Sequence, residues 1–189
     1  MFCWAGFTVL LTAERTGLIR GASGKGHIRL QVDTDFAHAG ASDILWVPGG
    51  SGNAVAAAQA NGTFIQFLKA QAAGANWVTS VCTGALLLAA AGLLDGYEAT
   101  THWDFLPCFA RYPRVKVTPG NPRFCIDRNR VTGGGISSGL DESLEIIQIV
   151  AGTVTAIQVQ QTTQYYPDPP VKSQIPVATT CPVPDRPTV

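Results

Sequence analysis

The chain has 189 residues, 46% of them hydrophobic and 14% charged, which suits one domain with a sizeable core. Its 13 basic and 13 acidic residues cancel, so the charge shows no sign of binding to nucleic acid or to an anionic membrane. No basic segment of a secretory signal opens the chain, and the longest apolar run, 85–94, is too short to span a bilayer.

The cysteines argue against a disulfide framework. Five cysteines are an odd number at scattered spacings. The sequence has no C-x-x-C pair, so it lacks this indication of a metal site. This pattern predicts a cytoplasmic protein in a reducing environment. Four of the five have no sharp turn beside them and are expected to be core or exposed side chains without a chemical role: Cys3, Cys108, Cys125 and Cys181.

Strand and helix patterns alternate along the chain. The strand patterns lie at 7–13, 27–32, 43–47, 77–81, 98–101 and 115–117, and a hairpin joins 124–126 to 130–132. The helix patterns lie at 53–60, at 64–73 with Thr63 as N-cap, after residue 82, at 103–112, from Ser137 or Ser138 to about 150, and at 155–165. This alternation predicts an α/β fold with a mainly parallel sheet.

A glycine-rich loop, Pro48-Gly49-Gly50-Ser51-Gly52, follows the strand pattern at 43–47. It reads either as a tight turn or as a phosphate loop, but the third glycine of a dinucleotide fingerprint is absent. Because ligands of open α/β sheets bind beyond the carboxyl ends of the strands, Gly49 and Gly50 are candidate site residues.

A cysteine sits where the next buried strand turns into a helix. Val78 and Val81 favour an extended backbone, and residues 85–91 favour a helix. This turn would place Cys82 at a helix N-terminus, where a thiolate is stabilised and can act as a nucleophile. The backbone N–H groups of Gly50 and Thr83 could converge there as an oxyanion hole. The alternative is that Cys82 is a small core residue.

Two further motifs contain candidate catalytic residues, a serine and a histidine. Residues 135–139 match the G-x-S-x-G elbow of serine hydrolases, but that motif expects a later histidine, and all three histidines lie upstream: His27, His38 and His102. A helix-capping role of Ser137 explains the match better. His102 follows a strand pattern and is either a structural histidine or a residue bordering the site.

Five segments in order resemble motifs of the ThiJ/PfpI superfamily, the class I glutamine amidotransferase-like proteins: 47–50, 80–84, 91–96, 99–103 and 132–136. The resemblance covers about 6–166 and implies a three-layer flavodoxin-like sandwich with helices on both faces. The remaining residues, 167–189, form a proline-rich tail that is expected to wrap the surface extended or to be disordered.

Within the superfamily, Cys82-Thr83-Gly84 resembles the isocyanide hydratases and the ligand-type domain of AraC-like regulators. The run 164–170 is similar to the end of the last hydratase helix, whereas the regulators continue into a basic helix-turn-helix region. The resemblance therefore implies hydration of isocyanides to N-substituted formamides by Cys82, in a homodimer without a cofactor. The Thr83 hydroxyl would hold water or substrate.

Members of the superfamily begin with a central strand, followed by a loop whose carboxylate faces the cysteine. Here Met1 aligns after that segment, and no acidic residue matches it. We therefore expect an absent strand, low activity and a tendency to aggregate. Two alternatives to the hydratase stay open: a non-catalytic ligand-sensing domain, and a glyoxalase- or deglycase-like activity on reactive carbonyls.

Overall fold

The strands of the described residues form one four-stranded sheet and three two-stranded sheets. The computed structural model describes residues 1–23 and 26–187. In chain order its strands are β1 (Thr12–Ala13), β2 (Gly17–Ser23), β3 (Gly26–Val32), β4 (Thr34–Asp35), β5 (Ile44–Val47), β6 (Trp77–Ser80), β7 (Glu98–Ala99), β8 (Lys116–Val117), β9 (Phe124–Asp127) and β10 (Arg130–Gly133).

The helices occupy the positions that the sequence predicts. They are α1 (Gly52–Ala60), α2 (Gly62–Gly74), α3 (Gly84–Ala90), α4 (Ser138–Ala151) and α5 (Thr153–Thr162), with 3₁₀ helices at Phe2–Ala5 and Trp103–Arg111. The predicted cap of α2 was wrong by two residues. The helix begins at Gly62, and the Asn61 side chain accepts a hydrogen bond from the Phe64 N–H at 3.2 Å.

The central sheet has the strand order β5-β6-β10-β9. Strands β5, β6 and β10 are parallel, and β9 runs antiparallel to β10 as the predicted hairpin. Two separate apolar clusters form the core. One joins the sheet to α1, α2 and α3, and the other lies between α4, α5 and the N-terminal 3₁₀ helix. The predicted mixed α/β fold is confirmed.

The N-terminal part differs from the prediction. Of the strand expected at 7–13, only β1 forms, because the residues before it have no strand beside them with which to pair. The strand expected at 27–32 is β3, and it pairs antiparallel with β2, which was not predicted. His27 belongs to β3, but its side chain lies outside the described part.

An apolar cavity separates 7–12 from β5. It has a volume of about 300 Å³ and is lined by residues such as Phe7, Leu11, Phe36 and Trp46. Within the described residues, the outer edge of β5 pairs with no other strand. Strand β5 therefore has one unpaired edge beside an apolar gap.

The tail after residue 166 is extended and is tied to the core. It contains no helix or strand within 167–187, but Val183 is only 2% exposed and packs in the main apolar cluster. A disulfide bond joins Cys108 to Cys181. The expectation that neither cysteine is paired was wrong, because this pair forms only when the tail returns to a helix 73 residues earlier.

No helix in the described residues is both long and apolar enough to cross a membrane.

Candidate active site

The turn between β6 and α3 holds Cys82 in an unusual backbone conformation. Its φ is 58°, a left-handed value that costs a non-glycine residue on the order of 1–3 kcal/mol. The Cys82 N–H donates to the Gly133 carbonyl oxygen at 3.1 Å, and the Cys82 carbonyl oxygen accepts from the Thr101 hydroxyl at 2.8 Å. These two hydrogen bonds fix the backbone of the strained turn. The Cys82 residue is half-buried, and its thiol is free.

The glycine-rich loop lies directly against this turn. A Cβ built on Gly49 would lie 2.9 Å from Cys82 Cβ and 2.8 Å from Thr83 Oγ1, closer than any side chain can approach. A Cβ on Gly84 would likewise lie 2.9 Å from the Pro48 carbonyl oxygen and would overlap that of Val47. The glycines therefore permit backbone contact between the loop and the turn.

The Thr83 hydroxyl joins the two segments. It accepts from the Gly50 N–H at 2.7 Å and donates to the Gly50 carbonyl oxygen at 2.9 Å. The Gly50 N–H, one of two expected oxyanion donors, is thus already hydrogen-bonded. In this state the Thr83 side chain holds the loop in place instead of holding water or substrate.

Burial governs the acidity of the thiol. It raises the pKa of Cys82 above its ordinary value, and the Thr83 N–H and hydroxyl oppose this increase only in part. The expected lowering of the pKa at the helix N-terminus is therefore not what the surroundings of this thiol produce. Any base that removes the proton must overcome the cost of burying the thiolate.

His102 lies beside the turn. A Cβ built on Gly135 would be 3.2 Å from His102 Cδ2, and the preceding residue, Thr101, bonds to the Cys82 backbone. His102 Nδ1 accepts from the Asp104 N–H at 3.2 Å, which assigns the ring proton to Nε2. His102 thus directly follows a residue that contacts the Cys82 backbone, and it caps the following 3₁₀ helix.

A second cavity is lined in part by His102. It has a volume of about 750 Å³ and is lined by both apolar and polar side chains, among them Trp103, Asn121, Arg123 and Ile136. It is large enough for a small organic molecule.

The serine of the G-x-S-x-G match has a structural role. Ser137 lies at the N-cap position of α4, but its side chain forms no capping bond and instead accepts from Arg123 Nη1 at 3.2 Å. Arg123 also forms an ion pair with Asp141. The predicted position of the helix start was correct, and the predicted capping bond was wrong.

Three residues that contact the site were not predicted. Gly133 and Thr101 bond to the Cys82 backbone, and Glu142 lies against Gly133. Gly133 acts through its backbone carbonyl oxygen and Thr101 through its side-chain hydroxyl, and neither contact has a distinctive local sequence pattern. Glu142 did carry one: it lies four residues before the buried Ile146 on a helix, so the two share a face.

No group of three or more His, Cys, Asp or Glu side chains within the described ranges could hold a metal ion.

The first comparisons with known proteins concern related sequences. The chain is 40% identical over 149 residues to isonitrile hydratase from Pseudomonas putida. These aligned residues make up 79% of this chain and 63% of the hydratase. It is 36% identical over 121 residues to the HTH-type transcriptional regulator GbdR of Pseudomonas aeruginosa. These aligned residues make up 64% of this chain and 32% of the regulator. The chain thus spans less than two thirds of the length of these relatives.

A solved structure and a family match complete the comparisons. The crystal structure of a ThiJ/PfpI family protein from Pseudomonas syringae superposes with a TM-score of 0.79 at 30% identity, over 87% of this chain and 65% of that one. Residues 1–149 match the DJ-1/PfpI family. The fold, the cysteine turn and these similarities together show that the chain belongs to the DJ-1/PfpI family.

Proposed function

We propose that this protein hydrates isocyanides to N-substituted formamides, with Cys82 as the nucleophile. The observation that carries the proposal is the strained turn that fixes Cys82 against the glycine loop, in a chain 40% identical to an isonitrile hydratase. Backbone strain held by surrounding contacts is characteristic of functional sites.

The reaction needs one thiolate, one proton donor and one water. The Cys82 sulfur bonds to the terminal carbon of the isocyanide, and that carbon takes a proton to give a thioimidate with a C=N bond. Water then adds to the same carbon, the C–S bond breaks, and the nitrogen takes a proton. The products are the formamide and the regenerated thiol, so the net change is the addition of one water.

The residues around Cys82 would contribute mainly through position. The Thr83 N–H favours the thiolate, and the hydroxyl of the same residue keeps Gly49 and Gly50 against the reacting atom. The Gly50 N–H could stabilise developing charge if it exchanged the Thr83 oxygen for the adduct. His102 would border the bound substrate, and the proposed steps require no metal or cofactor.

We further propose that the protein acts as a homodimer without nucleic-acid partners. In support of a dimer, α4 and α5 expose several apolar side chains: Ile149, Val150, Val154 and Ile157. Sedimentation equilibrium should give a mass of twice 19.9 kDa, and a monomer at micromolar concentration would contradict this assembly.

The second candidate is a ligand-sensing domain without catalysis. It is favoured by the similarity to GbdR and by the burial that raises the pKa of Cys82, because a protonated thiol reacts slowly. Such a domain would bind a small molecule beside Cys82 without converting it.

Turnover of an isocyanide panel by the purified chain tests the hydratase. Formamide formation, followed by chromatography, should be abolished in Cys82→Ala and Cys82→Ser, because neither side chain supplies a thiolate. The matched control is Cys3→Ser, which changes an exposed free cysteine away from the turn and should keep full activity.

Each outcome separates the candidates. Formamide production that persists in Cys82→Ala would place the chemistry elsewhere. Saturable binding of an isocyanide without any product would favour the sensing domain, and turnover of α-oxoaldehydes alone would favour the activity on reactive carbonyls.

A further inference from the structure

A carboxyl group is buried beneath the cysteine turn without a partner. Glu142 is 0% exposed, and neither of its carboxyl oxygens has a hydrogen-bond partner among the described residues. Glu142 is also not a member of any ion pair among the described residues. Burial of a polar group without such partners destabilises a fold, so its presence needs a physical reason.

Helix α4 brings this carboxyl to the ends of two sheet strands. A Cβ built on Gly133, the last residue of β10, would overlap Glu142 Oε2, so the carboxyl occupies the space that a side chain there would fill. The same Cβ position is 3.6 Å from the carbonyl oxygen of Ser80, the last residue of β6. Glu142 therefore fills the junction of the two strands.

This junction is directly connected to the nucleophile. The Gly133 carbonyl oxygen accepts the Cys82 N–H at 3.1 Å. One turn earlier in α4, a Cβ built on Gly139 would lie 3.2 Å from Val81 Cγ2, on the residue before Cys82. Helix α4 thus supports the strained turn at two points, and Glu142 is the polar one.

Burial favours the neutral form of this carboxyl. It raises the pKa of Glu142 to about 9. The nearby Ser80 N–H opposes this increase only in part, because it does not reach the geometry of a hydrogen bond to the carboxyl. A neutral carboxylic acid has one O–H donor and a carbonyl acceptor, which suits a position between backbone groups. A Leu of similar volume would fill the site without the desolvation of a polar group.

We propose that Glu142 is a positioning residue, whose buried carboxyl keeps the ends of β6 and β10 in the arrangement that holds Cys82 in its reactive conformation. This inference depends on Cys82 being the reacting thiol, as proposed above, but not on isocyanides as its substrate. It explains why a carboxyl is present where an apolar side chain would pack at lower cost.

Alkylation of Cys82 by iodoacetamide in the full chain, followed by peptide mapping, tests this role. Glu142→Gln keeps a neutral donor and acceptor of the same length and should leave the rate constant within about twofold. Glu142→Leu removes both groups and should lower it about tenfold while the melting temperature stays the same or rises.

An unchanged alkylation rate in a folded Glu142→Leu protein would overturn the proposal, and so would a tenfold loss in Glu142→Gln. If the branched Leu prevents folding, Glu142→Met gives the same test with an unbranched side chain of similar length. Because alkylation is measured without any isocyanide, failure of this proposal is distinguishable from failure of the hydratase proposal.

Discussion

At the scale of single residues, the site is governed by the balance between burial and hydrogen bonding at Cys82. The strand-to-helix pattern was sufficient to locate the cysteine, since β-branched residues before it and helix formers after it are local signals. The direction of its pKa shift was not predictable from the sequence. That direction depends on how much of the thiol the folded chain covers, and burial outweighs the Thr83 contacts.

The pH dependence of Cys82 alkylation should show this balance. Since the folded chain raises the pKa of the thiol, the thiolate forms at higher pH in the native protein than in the unfolded one. The midpoint of the rate against pH should therefore lie higher in native protein than in the same protein unfolded in urea. A native midpoint below the unfolded one would mean that the helix N-terminus and Thr83 dominate.

At the scale of elements, local patterns placed most helices and central strands. The failures occur where pairing decides the structure. Residues 7–11 have a strand pattern but no neighbouring strand, and β2 forms only because β3 folds back on it. The contact between α3 and β5 was also invisible in the sequence, although it requires glycine at position 84.

Substitution of Gly84 tests that contact. In Gly84→Ala, the new methyl group would overlap the Val47 carbonyl oxygen, so α3 must move away from β5. The free energy of unfolding, measured by urea denaturation, should fall by about 1–3 kcal/mol or more. Alkylation of Cys82 should change as well, because the same turn carries the thiol.

The matched control is Gly62→Ala in α2, where nothing lies within 4 Å of the added Cβ. This change should be neutral or should stabilise the protein by up to about 1 kcal/mol, since Ala has the higher helix propensity. Equal losses of stability in both variants would show that helix propensity, and not the contact of α3 with β5, determines the effect at Gly84.

At the scale of the whole molecule, the tail closes onto the core through contacts distant in sequence. Val183 packs in the main apolar cluster, and Arg111 Nη2 donates to its carbonyl oxygen at 2.8 Å. A Cβ on Gly52, the first residue of α1, would lie 2.7 Å from the Pro182 carbonyl oxygen. The tail therefore lies against the start of the helix that follows the glycine loop. Proline-rich composition predicted an extended or disordered tail, and it gave no indication of this contact with the core.

The disulfide between Cys108 and Cys181 should contribute measurably to stability, because it restricts a loop of 73 residues in the unfolded chain. We expect Cys181→Ser to lower the free energy of unfolding by roughly 2–4 kcal/mol under oxidising conditions. Dithiothreitol should reduce the stability of the native sequence to that of Cys181→Ser and leave the variant unchanged. Cys3→Ser, which alters an exposed free thiol, is the control and should have no effect. If dithiothreitol lowers the stability of Cys181→Ser as much as that of the native sequence, the tail is not held by this bond.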